Sequence, residues 1–192
     1  MQETVITIRT EKTPNPNSLK YHVGKLLIPG GSANFPTAAS AARSPLARRL
    51  WTVPEVAAVF IGADFITVTK TETATWASIN AGLAPQLEAF FESAEPVLEA
   101  VTHAPGVVEI GAEINDPAFI QQLKQVLDEK VRPAVAQDGG DITFRGFENG
   151  IVYLEMQGSC SGCPSSSATL KGGIENMLKH YFPDQVTEVK AI

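Results

Sequence analysis

Residues 158–164 read Gly-Ser-Cys-Ser-Gly-Cys-Pro and contain both cysteines of this 192-residue chain, Cys160 and Cys163. Two thiols separated by two residues can chelate one metal centre or close on each other as a redox disulfide. Residues 151–157 are rich in strand-forming types, and residues 165–181 have the pattern of a helix. The pair is therefore predicted to lie on a turn from a strand to a helix. Unpaired amide groups at the start of a helix favour thiolate over thiol, and thiolate is the form that binds metal or attacks a disulfide.

The number of sulfur ligands limits what this turn can bind. A zinc ion or an iron-sulfur cluster usually takes about four protein ligands, and a cluster prefers them all to be thiolates. This chain supplies only two cysteines. If a cluster is bound, the simplest completion is a second copy of the chain, which gives a shared site across a two-fold axis. The spacing alone leaves three interpretations open: a metal site, a redox pair, and a structural or incidental pair.

Composition excludes several classes of protein. With 44% hydrophobic and 19% charged residues, the chain is predicted to be globular, with one or two domains. The net charge is −6 and the 15 basic residues are scattered, so nucleic acid is not an expected partner. No apolar run approaches the roughly 20 residues needed to cross a membrane, and the N-terminus has no export signal, so we expect a soluble protein.

Two cysteines at one turn do not make a disulfide framework, which favours a reducing compartment. We expect the bacterial cytoplasm, or the mitochondrial matrix for a processed organellar form.

An acidic stretch divides the chain into two predicted domains. Residues 94–116 contain five acids, no Lys or Arg, and two prolines, and we predict that they form a linker. Its net charge is −5, whereas residues 1–93 carry +1 (eight basic, seven acidic) and residues 117–192 carry −2 (seven basic, nine acidic). Like charges keep a tether extended and solvated. The predicted domains are therefore 1–93 and 117–192.

The N-terminal domain has the signals of a mixed structure of strands and helices. Residues 19–23 have an extended pattern, and Ser44-Pro45 is typical of a helix start. The apolar runs 56–61 and 65–70 predict a hairpin. A helix is predicted to begin at Trp76, with Thr75 as its cap and Pro85 expected to kink or divide it.

The C-terminal domain is predicted to run in the order helix, strand, strand, helix, strand. The first helix has Asp116 as its cap and Pro117 in its first turn, with Ile120, Leu123, Leu127 and Val131 on one face; Pro133 ends or bends it. Strands 142–147 and 151–157 are joined at Asn149-Gly150, a strong hairpin signal. The helix 165–181 contains Gly172-Gly173, which either marks a close packing contact, such as a dimer seam, or a local kink. A strand at 186–191 follows. The fold class is α+β: two small α+β domains joined by the acidic linker.

Several of these residues together resemble a known family. The matching residues of the C-terminal domain are Arg132-Pro133, Asp138-Gly139-Gly140-Asp141 and the run 158–178. They resemble the NifU C-terminal (Nfu) domain of iron-sulfur cluster carriers and scaffolds. The N-terminal half resembles the additional domain in one branch of that family, through residues 13–20, 44–47 and 64–70. Two departures are Trp51, where relatives often have Phe, and Glu55, where they often have Gly.

The resemblance implies a function for the cysteine turn. Cys160 and Cys163 are expected to bind a cluster, most often a 4Fe-4S cluster, shared between the CxxC motifs of two subunits. The chain would receive it from an upstream scaffold or donor protein and transfer it to apo iron-sulfur client proteins. It would act as a carrier and not as an enzyme. The N-terminal domain is assigned to contacts with clients or partners.

Two alternatives from other classes remain. The chain could be a thiol-disulfide oxidoreductase, with Cys160 as nucleophile and Cys163 as the resolving thiol. It could also be a dimer joined by a structural zinc ion. His22 and His103 are isolated in the sequence, His180 is interpreted as a surface or helix-dipole histidine, and Asp138 and Asp141 are expected to satisfy backbone amides beside a Gly-Gly turn.

Overall fold

The computed structural model describes residues 8–99, 117–161 and 164–192, with only the backbone described for residues 164–167. The described residues fall into two compact units, one N-terminal and one C-terminal. Each contains both helices and strands, so the predicted α+β class is confirmed. The cap Asp116 and the linker residues 100–116 lie outside the described residues.

The N-terminal unit is a five-stranded antiparallel sheet with two α-helices. Its elements are, in chain order, β1 (Arg9–Lys12), β2 (Ser18–His22), β3 (Ala33–Phe35), a short 3₁₀ helix (Ala39–Arg43), α1 (Pro45–Leu50), β4 (Val56–Ile61), β5 (Phe65–Lys70) and α2 (Trp76–Ser93). The strands lie in the order β1-β2-β5-β4-β3. The predicted hairpin of β4 and β5 and the predicted strand near residue 19 are confirmed.

Local capping and helical spacing explain both α-helices of this unit. The Ser44 hydroxyl accepts a hydrogen bond from the Ala47 amide at 3.0 Å, which satisfies one of the free donors at the start of α1. Thr75 caps α2 in the same way. The buried face of α2 consists of residues at helical spacing: Ile79, Leu83, Leu87 and Phe90. Of the two outcomes predicted for Pro85, division of the helix is wrong, since α2 continues through it to Ser93, and a kink stays a prediction. Packing of the buried face outweighs the one backbone hydrogen bond that proline removes.

The two sequence departures fall on the same short connection between α1 and β4. Glu55 has φ = 69°, in the left-handed region where side chains with a Cβ are strained. The Trp51 Nε1 group is buried and has no hydrogen-bond partner among the described residues. Gly at position 55 would avoid the backbone strain, and Phe at position 51 would avoid the buried N–H group.

We therefore expect Glu55→Gly to stabilise the N-terminal unit by about 1 kcal/mol, because glycine adopts a positive φ without strain. Both tryptophans of the chain, Trp51 and Trp76, lie in this unit, so urea unfolding followed by tryptophan fluorescence reports on it selectively. Glu72→Gly is the matched control. That glutamate is also exposed and in a turn but has no positive φ, so its replacement should stabilise nothing. Equal effects of the two substitutions would contradict the prediction.

Residues 95–99 follow α2 and contact the start of α1. The Ser44 hydroxyl donates to the Val97 carbonyl at 2.6 Å. The Glu99 carboxylate accepts from Arg48 at 2.8 Å. These residues belong to the stretch predicted as a solvated linker, but at this end the acidic side chains are paired with arginines of α1 and hold the backbone against the N-terminal unit.

The C-terminal unit contains a three-stranded sheet, with two helices before the first strand and one between the second and third strands. Its elements are α3 (Pro117–Val126), a π-helical turn (Leu127–Val131), α4 (Arg132–Gln137), β6 (Gly140–Glu148), β7 (Ile151–Gly158), α5 (Pro164–Tyr181) and β8 (Glu188–Ala191). β7 is the central strand; it pairs antiparallel with β6 and parallel with β8. The four apolar residues predicted to share one helical face are all buried: Ile120, Leu123, Leu127 and Val131.

The hairpin of β6 and β7 determines where the cysteine turn begins. Asn149 and Gly150 both have positive φ, at 49° and 80°, which is the geometry of the tight turn that their sequence predicts. The pairing is continuous except for a bulge at Arg145, between the pairs of Phe144 and Gly146. At the other end of the hairpin, Gly140 lies opposite Gly158, immediately before the cysteines.

The glycine pair in α5 makes no close contact within the described structure. A Cβ built on Gly172 or Gly173 would meet nothing within 4 Å, and both residues are exposed. The helix is unbroken from Pro164 to Tyr181. A contact of these glycines with a second copy of the chain therefore stays a prediction.

Candidate metal centre

Cys160 lies two residues after β7, at the end of the hairpin where β6 begins. The Ser159 amide donates to the Gly139 carbonyl at 3.2 Å, and the Ser159 hydroxyl donates to the Asp138 carbonyl. The cysteine turn is thus attached to the turn between α4 and β6. Gly139 has φ = 81°, a conformation that favours glycine, which explains why the turn between α4 and β6 contains a glycine.

Gly140 makes room for the Cys160 side chain. A Cβ at this position would lie 2.6 Å from Cys160 Sγ and 2.6 Å from the Gln157 carbonyl oxygen. Real Cβ atoms do not approach other atoms so closely, and one of the two obstacles is backbone. Any residue other than glycine must therefore displace both the thiol and the backbone of β7.

The Cys160 thiol is buried in the structure, with 4% of the residue exposed. Burial raises the pKa of the Cys160 thiol to about 11; the Asp138 and Asp141 carboxylates act in the same direction, and contact with the Ser159 hydroxyl opposes them. The expectation that a helix start would favour the thiolate is therefore wrong for Cys160 in this structure. The helix α5 begins only at Pro164, and desolvation of the sulfur outweighs the helix dipole.

A charged pair supports the same turn from the helical side. Arg132 donates to both carboxylate oxygens of Asp141, from Nε and Nη2, each at 2.9 Å. Asp141 also accepts from the Ile142 amide at 2.8 Å, as the sequence predicted for an acid beside the Gly-Gly turn. The Asp141 side chain is 12% exposed and that of Arg132 is 37% exposed. This bidentate pair joins the first residue of α4 to the second residue of β6.

The outcome differs among the sequence-predicted site residues. Cys160 lies at the site described above, whereas Cys163 lies outside the described residues. His22 contacts Glu11 at 2.6 Å in the N-terminal unit, and His180 is exposed near the end of α5, as predicted. His103 lies outside the described residues. Asp138 acts through its backbone carbonyl, which the sequence did not predict.

Sequence reasoning missed three supporting residues, Arg132, Gly140 and Ser159. The Asp-Gly-Gly-Asp motif was a usable signal for Gly140, because paired glycines in front of a strand indicate close approach of another group. No sequence pattern pairs Ser159 with residue 138. Within the described ranges, no group of three or more His, Cys, Asp or Glu side chains is placed to hold a metal ion. The described part of one chain thus offers at most a partial ligand set.

Comparison with known proteins gives the class of both domains. Residues 123–190 match the family described as the NifU-like domain, and residues 8–94 match the N-terminal domain of the scaffold protein Nfu/NifU. A human relative named NFU1 iron-sulfur cluster scaffold homolog, mitochondrial, is 46% identical over 178 residues, 92% of this chain and 68% of the relative. NifU-like protein 4, mitochondrial, of Arabidopsis thaliana is 42% identical over 193 residues, 100% of this chain and 66% of the relative.

A solved structure of a NifU-like protein from Saccharomyces cerevisiae is 28% identical and covers 51% of this chain and 89% of its own, with a TM-score of 0.46. The chain spans about two thirds of the length of the curated relatives it matches. It belongs to the Nfu family of NifU-like iron-sulfur cluster scaffold proteins, in the branch that carries an Nfu N-terminal domain. No helix among the described residues has the length and apolar character needed to cross a membrane.

Proposed function

We propose that this protein is an iron-sulfur cluster carrier that holds a 4Fe-4S cluster between the CxxC motifs of two chains. The observation that carries the proposal is the sulfur supply: Cys160 and Cys163 are the only cysteines of the chain, and only two residues separate them. A cluster prefers four thiolates. Two copies related by a two-fold axis supply that number, and membership of a scaffold family is consistent with this use.

The cluster is cargo in this proposal. It would be received from an upstream scaffold or donor protein and passed to apo iron-sulfur proteins, whose own cysteines replace Cys160 and Cys163 as ligands. A site at the seam of two chains suits such exchange, because separating the chains exposes the cluster. The N-terminal domain would contact these partners. The mitochondrial names of the relatives support the organellar alternative for the compartment over the bacterial cytoplasm.

The buried thiol weighs against the oxidoreductase alternative. A nucleophilic cysteine needs access to its disulfide and an appreciable fraction of thiolate near neutral pH. Cys160 is 4% exposed and its pKa is raised to about 11. An insulin-reduction assay with a low-molecular-weight reductant tests this alternative directly, and we expect no activity. Metal analysis of the purified protein distinguishes iron from a structural zinc ion.

Anaerobic reconstitution tests the carrier proposal. We expect brown protein with broad visible absorbance, about one cluster per two chains by iron, sulfide and intact-mass analysis, and the Mössbauer signature of a 4Fe-4S cluster. A known carrier is reconstituted under the same conditions as a positive control. If the control takes up a cluster and this protein stays colourless, the proposal is contradicted. A stable one-chain species that holds the cluster without an external thiol would contradict the shared site.

Replacing either cysteine should abolish cluster binding and leave the chain folded. Cys160→Ser and Cys163→Ser each leave a two-chain site with two thiolates in place of four, which a cluster does not tolerate well. Ser161→Ala, in the same turn, is the matched control and should load normally. The readouts are visible absorbance after reconstitution and circular dichroism of the apo-protein. A full cluster in either cysteine variant would show that the ligands are assigned wrongly.

A further inference from the structure

The position of Cys160 conflicts with the way in which a shared cluster must be held. Cys160 belongs to the buried core of the C-terminal unit, together with residues such as Val135 and Met156. A cluster at a seam between two chains can be reached only by a thiol that points out of its own domain. The buried position therefore cannot be the one in which Cys160 ligates such a cluster.

Hydrogen bonds of Ser159 hold the buried position. Its amide donates to the Gly139 carbonyl at 3.2 Å, and its hydroxyl donates to the Asp138 carbonyl. Ser159 itself is 2% exposed, so both bonds are shielded from competing water. Both carbonyls belong to the turn that leads into β6. While these bonds persist, the neighbouring Cys160 stays beneath that turn.

The backbone on either side of this contact can rearrange at glycines. Gly158 precedes Ser159 and has φ = 68°, and Gly139 has φ = 81° on the opposing turn. Glycine reaches many backbone conformations at little steric cost, so these residues can absorb the rotation that turns Cys160 outward. No side chain at Gly140 blocks the path of the sulfur. The Ser161 amide also donates to the Gly158 carbonyl at 3.1 Å, a bond that lies within the turn itself and does not tie it to β6.

We propose that Ser159 is a latch: in the unloaded chain its hydrogen bonds to residues 138 and 139 keep Cys160 buried, and the cluster binds only after the latch opens and Cys160 turns outward. This inference rests on the proposed function for its consequence in loading, but the latch itself is a property of the apo-protein. It makes Ser159 a positioning residue that acts through Cys160. It also explains why an apo-carrier would keep one ligand sheltered from oxidants and from premature pairing with other thiols.

The test uses thiol alkylation in the full-length chain. Cys163→Ser leaves Cys160 as the only thiol, and its reaction with iodoacetamide is followed by intact mass. We expect the folded protein to react far more slowly than the same protein in urea. Adding Ser159→Ala should speed the reaction about fivefold to tenfold, the change in open population expected when one shielded hydrogen bond is lost. Adding Ser161→Ala, whose side chain is exposed, should leave the rate unchanged.

Amide hydrogen exchange of β6 and β7 distinguishes local opening from unfolding. If the amides of β6 and β7 in the Ser159→Ala chain stay protected from exchange while Cys160 alkylates faster, the result supports the latch. If those amides lose protection, Ser159→Thr, which keeps the hydroxyl, is measured in its place, and its Cys160 should alkylate slowly. Fast alkylation of Cys160 in a Ser159→Thr chain whose amides are protected would overturn the latch. An unchanged rate in Ser159→Ala, or a parent chain as reactive as in urea, would also overturn it.

Loading kinetics separate the latch from the carrier function. In the chain with both cysteines, Ser159→Ala should accept a cluster faster than the parent during anaerobic reconstitution, with the same final yield. A parent that loads while both proteins alkylate at equal rates refutes the latch and leaves the carrier function standing. If the parent never takes up a cluster, but its Cys160 alkylates slowly and Ser159→Ala speeds that alkylation, the carrier function is refuted and the latch is supported.

Discussion

Gly140→Ala is expected to destabilise the C-terminal unit by about 1–3 kcal/mol and to abolish cluster binding. The added methyl group would lie 2.6 Å from Cys160 Sγ and 2.6 Å from the Gln157 carbonyl oxygen. The Cys160 side chain could move away, but the Gln157 carbonyl belongs to β7, the central strand of the three-stranded sheet. Both the register of β7 and the position of the thiol must change, so stability and loading should fall together.

Gly173→Ala is the matched control for this substitution. Its Cβ would meet nothing within 4 Å in the same chain, and alanine is favoured over glycine in a helix by about 1 kcal/mol, so this variant should be slightly more stable. Tryptophan fluorescence does not report on the C-terminal unit, so amide hydrogen exchange of β6 and β7 is the appropriate measure. A Gly140→Ala chain with parental exchange rates and a full cluster would show that the turn has room that the structure lacks.

Arg132→Ala is expected to destabilise the C-terminal unit by about 3 kcal/mol, because it leaves the Asp141 carboxylate nearly buried and without its bidentate partner. The reverse substitution, Asp141→Ala, should cost less, about 2 kcal/mol. The Arg132 side chain is 37% exposed and can regain water, whereas that of Asp141 is only 12% exposed. The order of the two losses is expected because Arg132 keeps Asp128 as a partner at 3.2 Å after Asp141→Ala, whereas Arg132→Ala removes the cation from the less exposed carboxylate.

A second ion pair in the same sheet provides the control. Arg145 Nε donates to the Glu155 carboxylate at 2.6 Å across β6 and β7, with side chains 26% and 30% exposed. Because water solvates both groups, Glu155→Ala should cost at most about 1 kcal/mol. The amide-exchange free energy of β7 would measure all three variants. Equal losses for Arg132→Ala and Glu155→Ala would contradict the view that burial gives the first pair its importance.

Features with strong local signals were predictable from the sequence. The hairpin at Asn149-Gly150, the helix start at Ser44-Pro45 and the helix start at Pro117 each depend on a few adjacent residues whose backbone preferences agree. Apolar spacing also gave the buried face of the first C-terminal helix. At Pro85 the same kind of reasoning gave too much weight to one residue, because the packing of a whole helical face decides whether the helix continues.

The environment of the cysteines could not be predicted in the same way. The burial of Cys160 depends on Gly140, which is twenty residues earlier in the chain, and on a hydrogen bond from Ser159 to residue 138. The sequence placed the cysteines next to a helix start and therefore predicted a thiolate, but desolvation raises the pKa of the Cys160 thiol, which lies against Gly140 of the paired strand β6. Likewise, the sequence of an acidic stretch does not predict that Glu99 accepts a hydrogen bond from Arg48.

The bulge at Arg145 has a consequence for how copies of this protein can meet. β6 is a nine-residue strand at the edge of its sheet, and a straight edge of that length invites endless strand-to-strand stacking between molecules. An extra residue in the middle of the strand increases its local twist and interrupts the regular spacing of its outer edge. The bulge therefore limits edge-to-edge association between copies of the chain.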